Sequence, residues 1–330
     1  MKAIVFDRIG SPEEVLELRD VPVPEISDDE VLVRMVSASI NPGDFLFIQN
    51  LYPEPKKPQF PGQIAGNHGA GIIEKAGRQV KLQPGTFVAF SYYNTWAEYT
   101  AVPAEWLIPL PADYPIELAA QLVNPITAWD LLDQVGLLPG QWLALTAGNS
   151  TISTMVAQFA RHMRINVISL VRHAQKTINL TSMGANAIVE LSNLPDDLLK
   201  ERIMKLTENQ GINGVIDNVG GPVTGELIRS MTFGGRLIIN GGMSANRFEL
   251  HNFDILLRGI EIKSHVYRYF FNPPKEKDTT ILKEIITLSA QPDFQVPLGG
   301  LHGLEDFGMA IAESIKFPQK GKHVFKISHI

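Results

Sequence analysis

The sequence predicts an α/β protein in which a doubly wound parallel sheet is joined to a second, β-rich part. Three observations predict it. Over the middle of the chain, short apolar runs alternate with helical stretches, the pattern of a parallel sheet covered by helices. Over residues 1–123 the apolar runs are separated by Pro, Gly and Asp clusters instead, which is no βαβ rhythm. Finally, the strand predicted at 142–146 runs into a tight turn that opens a helix, the arrangement of a Rossmann-type phosphate site.

In the first part, strands are expected at 3–6, 31–39, 71–75, 86–90 and 96–102. The prolines 22, 24, 42, 53, 55, 58 and 61 punctuate long loops, the segments that carry function on a compact β scaffold. From Asn124 the rhythm changes. Strands are expected at 142–146, 166–171, 187–190, 214–218 and 236–240, with helices at 154–163 and 198–208 placing Val156, Phe159 and Ala160, or Leu198, Ile203 and Leu206, on one face. A further strand at 262–267 precedes a Pro-interrupted loop and a helix at 278–290. The tail, 303–328, reads as a helix followed by a terminal strand at 322–327 that rejoins the first part. The expected division is therefore 1–123 plus 268–330 for the β-rich domain and 124–267 for the nucleotide-binding domain.

Composition narrows the function. The chain of 330 residues is 45% hydrophobic and 19% charged, as in ordinary soluble proteins, and its net charge of −6 gives no reason to expect nucleic acid or an anionic membrane as partner. It has no cysteine, which excludes disulfides, thiolate nucleophiles and every cysteine-containing zinc site. With no leader-like segment and no apolar run near the roughly 18 residues of a membrane span, a cytosolic location is expected.

The turn Gly148-Asn149-Ser150-Thr151-Ile152 suits a dinucleotide phosphate at a helix start. About 20 residues on, where NAD-binding units carry an acid, this chain has Arg172, followed by His173 and Lys176. A carboxylate there would repel a ribose 2′-phosphate, whereas a guanidinium grips it, so the cofactor read from the strand end is NADPH. Asn218-Val219-Gly220 and Gly241-Gly242-Met243 close two later strands at the carboxyl edge of the sheet, where ligands bind. Each could also be a plain turn, and Arg172 a solvated surface residue.

Asn-Pro-Gly-Asp (41–44), Gly-Asn-His-Gly-Ala-Gly (66–71), Leu-Gln-Pro-Gly (82–85), Asp-Asn-Val-Gly-Gly (217–221) and Gly-Gly-Met (241–243) occur in that order. With Asn-Pro-Ile-Thr-Ala-Trp (124–129) and the closing Gly-Lys-His-Val-Phe, the whole chain resembles the medium-chain dehydrogenase/reductase superfamily. Within it, the chain is similar to the zinc-free quinone oxidoreductases and trans-2-enoyl-thioester reductases. The resemblance implies a GroES-like catalytic domain, NADPH as cofactor, no metal and a homodimer joined through the edge at 260–266. It adds Asn41, Asn124, Thr127 and Lys322 to the cofactor residues and gives Trp96 to the substrate pocket, while Tyr267, Tyr269 and Phe270, in the aromatic run after the last core strand, could roof that pocket or line a dimer interface. Tyr52 becomes the catalytic candidate: hydride arriving at a β-carbon makes an enolate, which a phenol can stabilise or protonate.

The chain departs from the pattern in three places. Thr151 and Ser153 stand where relatives usually carry glycine, so the helix could merely be N-capped by Ser150 or Thr151 with cofactor binding degraded. Tyr52 precedes Pro where the family commonly has Gly, and could simply pack on the loop prolines. Zinc members need a His-Glu pair that is here Asn67-His68, which leaves His68 as a structural histidine and argues against an alcohol dehydrogenase. The expected activity is NADPH-dependent reduction of a C=C bond conjugated to a carbonyl. A 2-enoyl thioester is favoured slightly over a quinone, and a non-catalytic NADPH-binding protein is the further alternative.

Overall fold

The computed structural model describes residues 1–53, 56–174, 178–194 and 198–329. Lys176, expected beside Arg172, and Pro55 of the Tyr52 loop lie outside the described residues. The chain forms two compact units: 1–123 with 269–291 and 296–330, and 124–268 with 292–295.

The first unit is built on two sheets. A three-stranded antiparallel sheet has the order β2 (Glu17–Asp20), β1 (Lys2–Phe6), β4 (Gln63–Ile64). A seven-stranded sheet runs β15 (Leu298–His302), β16 (Lys322–Lys326), β3 (Glu30–Ser39), β5 (His68–Ala76), β6 (Phe87–Ser91), β8 (Ile108–Pro109), with β7 (Tyr99–Pro103) also paired to β3. Along β3 burial alternates over its first half and is continuous over its second, as expected where a strand becomes covered on both faces. The terminal strand β16 pairs antiparallel with β3, Val324 opposite Ser39 and Phe325 opposite Ala38, so the tail completes the sheet begun near the N-terminus. Short helices α1 (Pro12–Val15), α2 (Pro42–Ile48) and α3 (Ile116–Ala119) fill the connections, and α9 (Thr279–Ser289) and α10 (Phe307–Lys316) belong to the C-terminal part. One core joins Ile4, Phe6, Ile40, Ile48, Trp96 and Phe325.

The second unit is a six-stranded parallel sheet, β11 (Ala187–Glu190), β10 (Asn166–Val171), β9 (Trp142–Leu145), β12 (Ile212–Asp217), β13 (Met231–Ile239), β14 (Glu261–Ser264). Its order reverses beside β9, which makes the carboxyl end of β9 the switch point where such sheets bind ligands. The inner strands are apolar runs without alternation; in β10 Val167 to Val171 are all buried, because helices cover both faces. The helices are α4 (Val123–Val135), α5 (Thr151–His162), α6 (Leu199–Leu206), α7 (Pro222–Arg229) and the short α8 (Asn252–Ile255). β13 begins five residues before the expected 236: Met231 pairs with Ile212, and a register shift absorbs the Gly234-Gly235 pair.

Candidate active site

Two groups of residues gather, one in each unit. In the parallel-sheet unit, β9 ends at a turn in which Ser150 caps α5, its hydroxyl accepting the Ser153 N–H at 3.2 Å. The first N–H groups of the helix, at Thr151 and Ile152, have no acceptor within it, so they and the helix dipole form an anion-binding end. Gly148 is required, since a Cβ there would lie 2.7 Å from Ser169 Cβ on the adjacent strand. Ser153, in place of a family glycine, is fully buried; its hydroxyl donates to the Thr146 carbonyl at 3.0 Å and accepts from Asn218 Nδ2 at 3.1 Å. The departure thus joins the turn to the next strand end without an unsatisfied group.

That next strand end is organised by Asp217, which is buried. Its Oδ1 accepts the N–H groups of Val219 and Gly220 at 3.0 Å and the Thr146 hydroxyl at 2.8 Å; Oδ2 accepts the Thr224 hydroxyl at 2.6 Å. The loop 218–220 is therefore shaped by one carboxylate. Asn218 accepts from Asn240 Nδ2 at 2.7 Å, and a Cβ on Gly241 would collide with the Asn218 carbonyl, so the two strand-end loops meet closely. Around Gly220 and Gly242 there is open space instead, and Met243 is exposed. Asn124 and Thr127 are buried in α4.

Arg172 follows Val171, the last residue of β10, and is exposed, while its carbonyl accepts the Ser192 N–H. Sequence reasoning missed Glu190, paired with Val171 from the neighbouring strand. Its carboxylate takes the Ala174 N–H and Asn193 Nδ2, both at 3.0 Å, and lies 3.7 Å from His173 Nδ1. Those donors occupy the acid beside the arginine. Tyr267 lies in this unit, whereas Tyr269 and Phe270 belong to the other.

In the β-rich unit, Asn41 opens α2 and Pro42 begins it, a favourable first position for proline. The Asp44 carboxylate is wholly buried and accepts the backbone N–H groups of Asn41 and Asn67, each at 2.7 Å. Lys322 Nζ donates to Asn41 Oδ1 at 2.7 Å and to the Ile40 carbonyl at 3.3 Å, tying β16 to the start of α2. Asn41 Nδ2 donates to Ser39 Oγ, so both polar ends of this side chain are engaged inside the unit. Burial pushes the Asp44 carboxyl up, opposed by the two N–H groups and Lys322, and pushes the Lys322 ammonium down, opposed by Asp44.

Tyr52 stands over this arrangement. Its hydroxyl occupies the space a Cβ on Gly43 would need, which explains the glycine. Its ring meets Tyr92 edge-on at 6.2 Å and Phe270 at 5.7 Å, and Tyr92 shares a hydrogen bond with its hydroxyl. Burial, then the nearby Asp44 carboxylate, drives the phenol above its ordinary value, so it keeps its proton. Tyr52 and Phe270 are therefore brought together, as are Asn41 and Lys322.

Trp96 is a correction. It is fully buried, its indole N–H donates to the Ser39 carbonyl at 3.2 Å, and its ring abuts Phe325 at 5.3 Å. Gly66 leaves it room. It is packed in the hydrophobic core of this unit.

The residues near His68 do not fit a catalytic zinc. His68 is buried with Nδ1 3.0 Å from Ser91 Oγ. Among the described residues, the one group of three or more His, Asp or Glu with ligand atoms close together is His302, Glu313 and His323, which does not include His68.

These two units match known domain families. An alcohol dehydrogenase GroES-like domain matches residues 27–112, and a zinc-binding dehydrogenase domain matches residues 151–283. Human mitochondrial enoyl-[acyl-carrier-protein] reductase is 30% identical over 342 aligned positions, covering 96% of this chain and 86% of that protein. The Xenopus tropicalis counterpart is 28% identical, covering 95% and 91%. A crystal structure from Bacillus thuringiensis, assigned as an NADPH:quinone reductase, superposes with a TM-score of 0.86 at 26% identity over 99% of both chains. The chain belongs to the zinc-free branch of the medium-chain dehydrogenase/reductase superfamily, the family of these enoyl and quinone reductases.

Proposed function

We propose that this protein is an NADPH-dependent reductase of carbonyl-conjugated C=C bonds, with a 2-enoyl thioester as its substrate class. The observation that carries the reading is the Tyr52 phenol, held protonated by burial beside Asp44, and packed with Tyr92 and Phe270. An enolate oxygen developing at the thioester carbonyl needs a hydrogen-bond donor that does not ionise first, and this phenol is one. A quinone accepts hydride without such help, so Tyr52 favours the thioester. Identity to the mitochondrial enoyl reductases over most of both chains supports the same choice.

In this reading the parallel-sheet unit holds the cofactor, which supplies hydride from its nicotinamide. The N–H groups of Thr151 and Ile152 and the turn Gly148–Ser150 would receive the pyrophosphate, and Arg172 the 2′-phosphate. The open backbone at Gly220 and Gly242 fits a ligand packed against the strand ends. Lys322 and Asn41, joined to each other, would shape the β-rich side, with Phe270 against the acyl group. No metal takes part in the step. Steady-state NADPH oxidation with a medium-chain 2-enoyl-CoA, set against a benzoquinone, tests the reading; rapid turnover of the thioester is expected.

A homodimer belongs to the same proposal. β14 ends the parallel sheet with all four residues exposed, and Phe253, Leu257, Ile262 and Val266 expose apolar side chains around it. An unpaired edge with an apolar rim is a template for the same edge of a second copy. Light scattering on the purified protein is expected to give twice the 36.5 kDa chain mass; a monomer at micromolar concentration would contradict it. Among the described residues no helix is long and apolar enough to cross a membrane, and the cytosol is the compartment proposed.

A further inference from the structure

The β-rich unit contains a cluster that the proposed reaction does not use. β15 and β16 are parallel neighbours, with Gly300 opposite His323 and His302 opposite Phe325. His302 and His323 are both buried and stack at 5.2 Å with an interplanar angle of 25°, placing His302 Nε2 2.9 Å from His323 Nδ1. From α10, the half-exposed Glu313 brings its Oε2 to 3.9 Å from the same Nδ1. The three ligand atoms all lie within 4.8 Å of one another.

Two further features set this cluster apart from an ordinary histidine pair. Gly299 and Gly300 clear its space: a Cβ on the first would lie 2.5 Å from His323 Nε2, and on the second 2.6 Å from His302 Nε2. In addition, His323 Nε2, the ring nitrogen that is not among the three ligand atoms, is buried without a hydrogen-bond partner.

We propose that His302, Glu313 and His323 form a binding site for a divalent transition metal such as Zn2+, Ni2+ or Co2+. Two imidazoles and a carboxylate are the donor set these ions prefer over Mg2+ or Ca2+. With metal–ligand bonds of about 2.0–2.1 Å, a tetrahedral site wants ligand atoms roughly 3.4 Å apart. The present spacing brackets that value, and the Glu313 side chain, on a helix surface, is the one free to close in. Lys320 and Lys322 bring positive charge towards His323 and favour a modest affinity. A bound ion would clamp α10 to the β15–β16 pair. Such a site is distinct from His68 and stands against the metal-free expectation for the chain as a whole, though not for hydride transfer.

The test uses untagged full-length protein freed of metal with chelator, titrated with Zn2+ and Ni2+ by calorimetry and followed by thermal melting. The expected result is one site per chain and a midpoint rise on the order of 5 °C at a hundredfold excess over the dissociation constant. Co2+ should give the visible absorption of a four-coordinate N/O site. His302→Gln and Glu313→Gln should each abolish the stoichiometric binding while their metal-free melting midpoints report folding; Glu313, half-exposed, keeps the test valid if the buried substitution unfolds the unit. No binding by the wild-type chain, or an unchanged one-site isotherm in Glu313→Gln, would overturn the proposal.

Discussion

Tyr52→Phe is expected to lower turnover of a 2-enoyl thioester by roughly 10²- to 10³-fold while leaving the affinity for NADPH unchanged. The substitution keeps the ring against Tyr92 and Phe270 and removes only the hydroxyl, so lost packing is no competing explanation. The same variant should reduce a benzoquinone about as fast as wild type, since that acceptor asks for no acid. The pH profile offers a second readout. Burial and Asp44 raise the phenol above its ordinary value near 10, so its protonated form is present at all pH values below that and is lost only above it. Wild-type turnover should therefore show no basic limb from Tyr52 up to pH 10. Loss of activity in Tyr52→Phe confined to KM, with kcat intact, would reduce Tyr52 to a packing residue.

Arg172→Ala is expected to raise KM for NADPH by roughly 10²-fold and to leave KM for NADH nearly unchanged. A paired guanidinium–phosphate contact is strong, and NADH has no 2′-phosphate to lose. Glu190 sharpens the expectation, because without Arg172 a carboxylate remains beside the strand end to repel that phosphate. The check is steady-state kinetics with both nucleotides on wild type and variant. Equal changes for both would mean that Arg172 acts on the fold of the loop, and no change would return it to the ordinary exposed surface.

The parts of this molecule legible in sequence are those whose signals are local. β10 and β11 lie at the residues where the sequence predicts them, because each is a short, mainly apolar stretch bounded by polar turn residues. α5 starts at Thr151, three residues before the helical pattern shows, since its first turn is polar and capped by Ser150. The start of β13 was hidden by Gly234-Gly235, which signal a turn yet sit within a bulged strand. Side-chain company was much less legible. Trp96 lies in an apolar run in either reading; only the Ser39 carbonyl and Phe325, far away in sequence, make it core. Glu190 is one charged residue until parallel pairing sets it beside Val171. His302 and His323 have no ligand-like spacing, and they meet because a helix-linked pair of strands runs parallel. At Ser153, which stands in place of a glycine, the buried hydroxyl finds Thr146 and Asn218, partners that only the folded strand ends supply.

The central claim, that this reductase works on enoyl thioesters with NADPH, is tested most directly by initial rates of NADPH oxidation with a medium-chain 2-enoyl-CoA and with a benzoquinone under the same conditions. The account predicts that kcat/KM for the thioester exceeds that for the quinone by at least about tenfold, a difference of roughly 1.4 kcal/mol in transition-state stabilisation. Turnover of the quinone alone would contradict it and make the chain a quinone reductase.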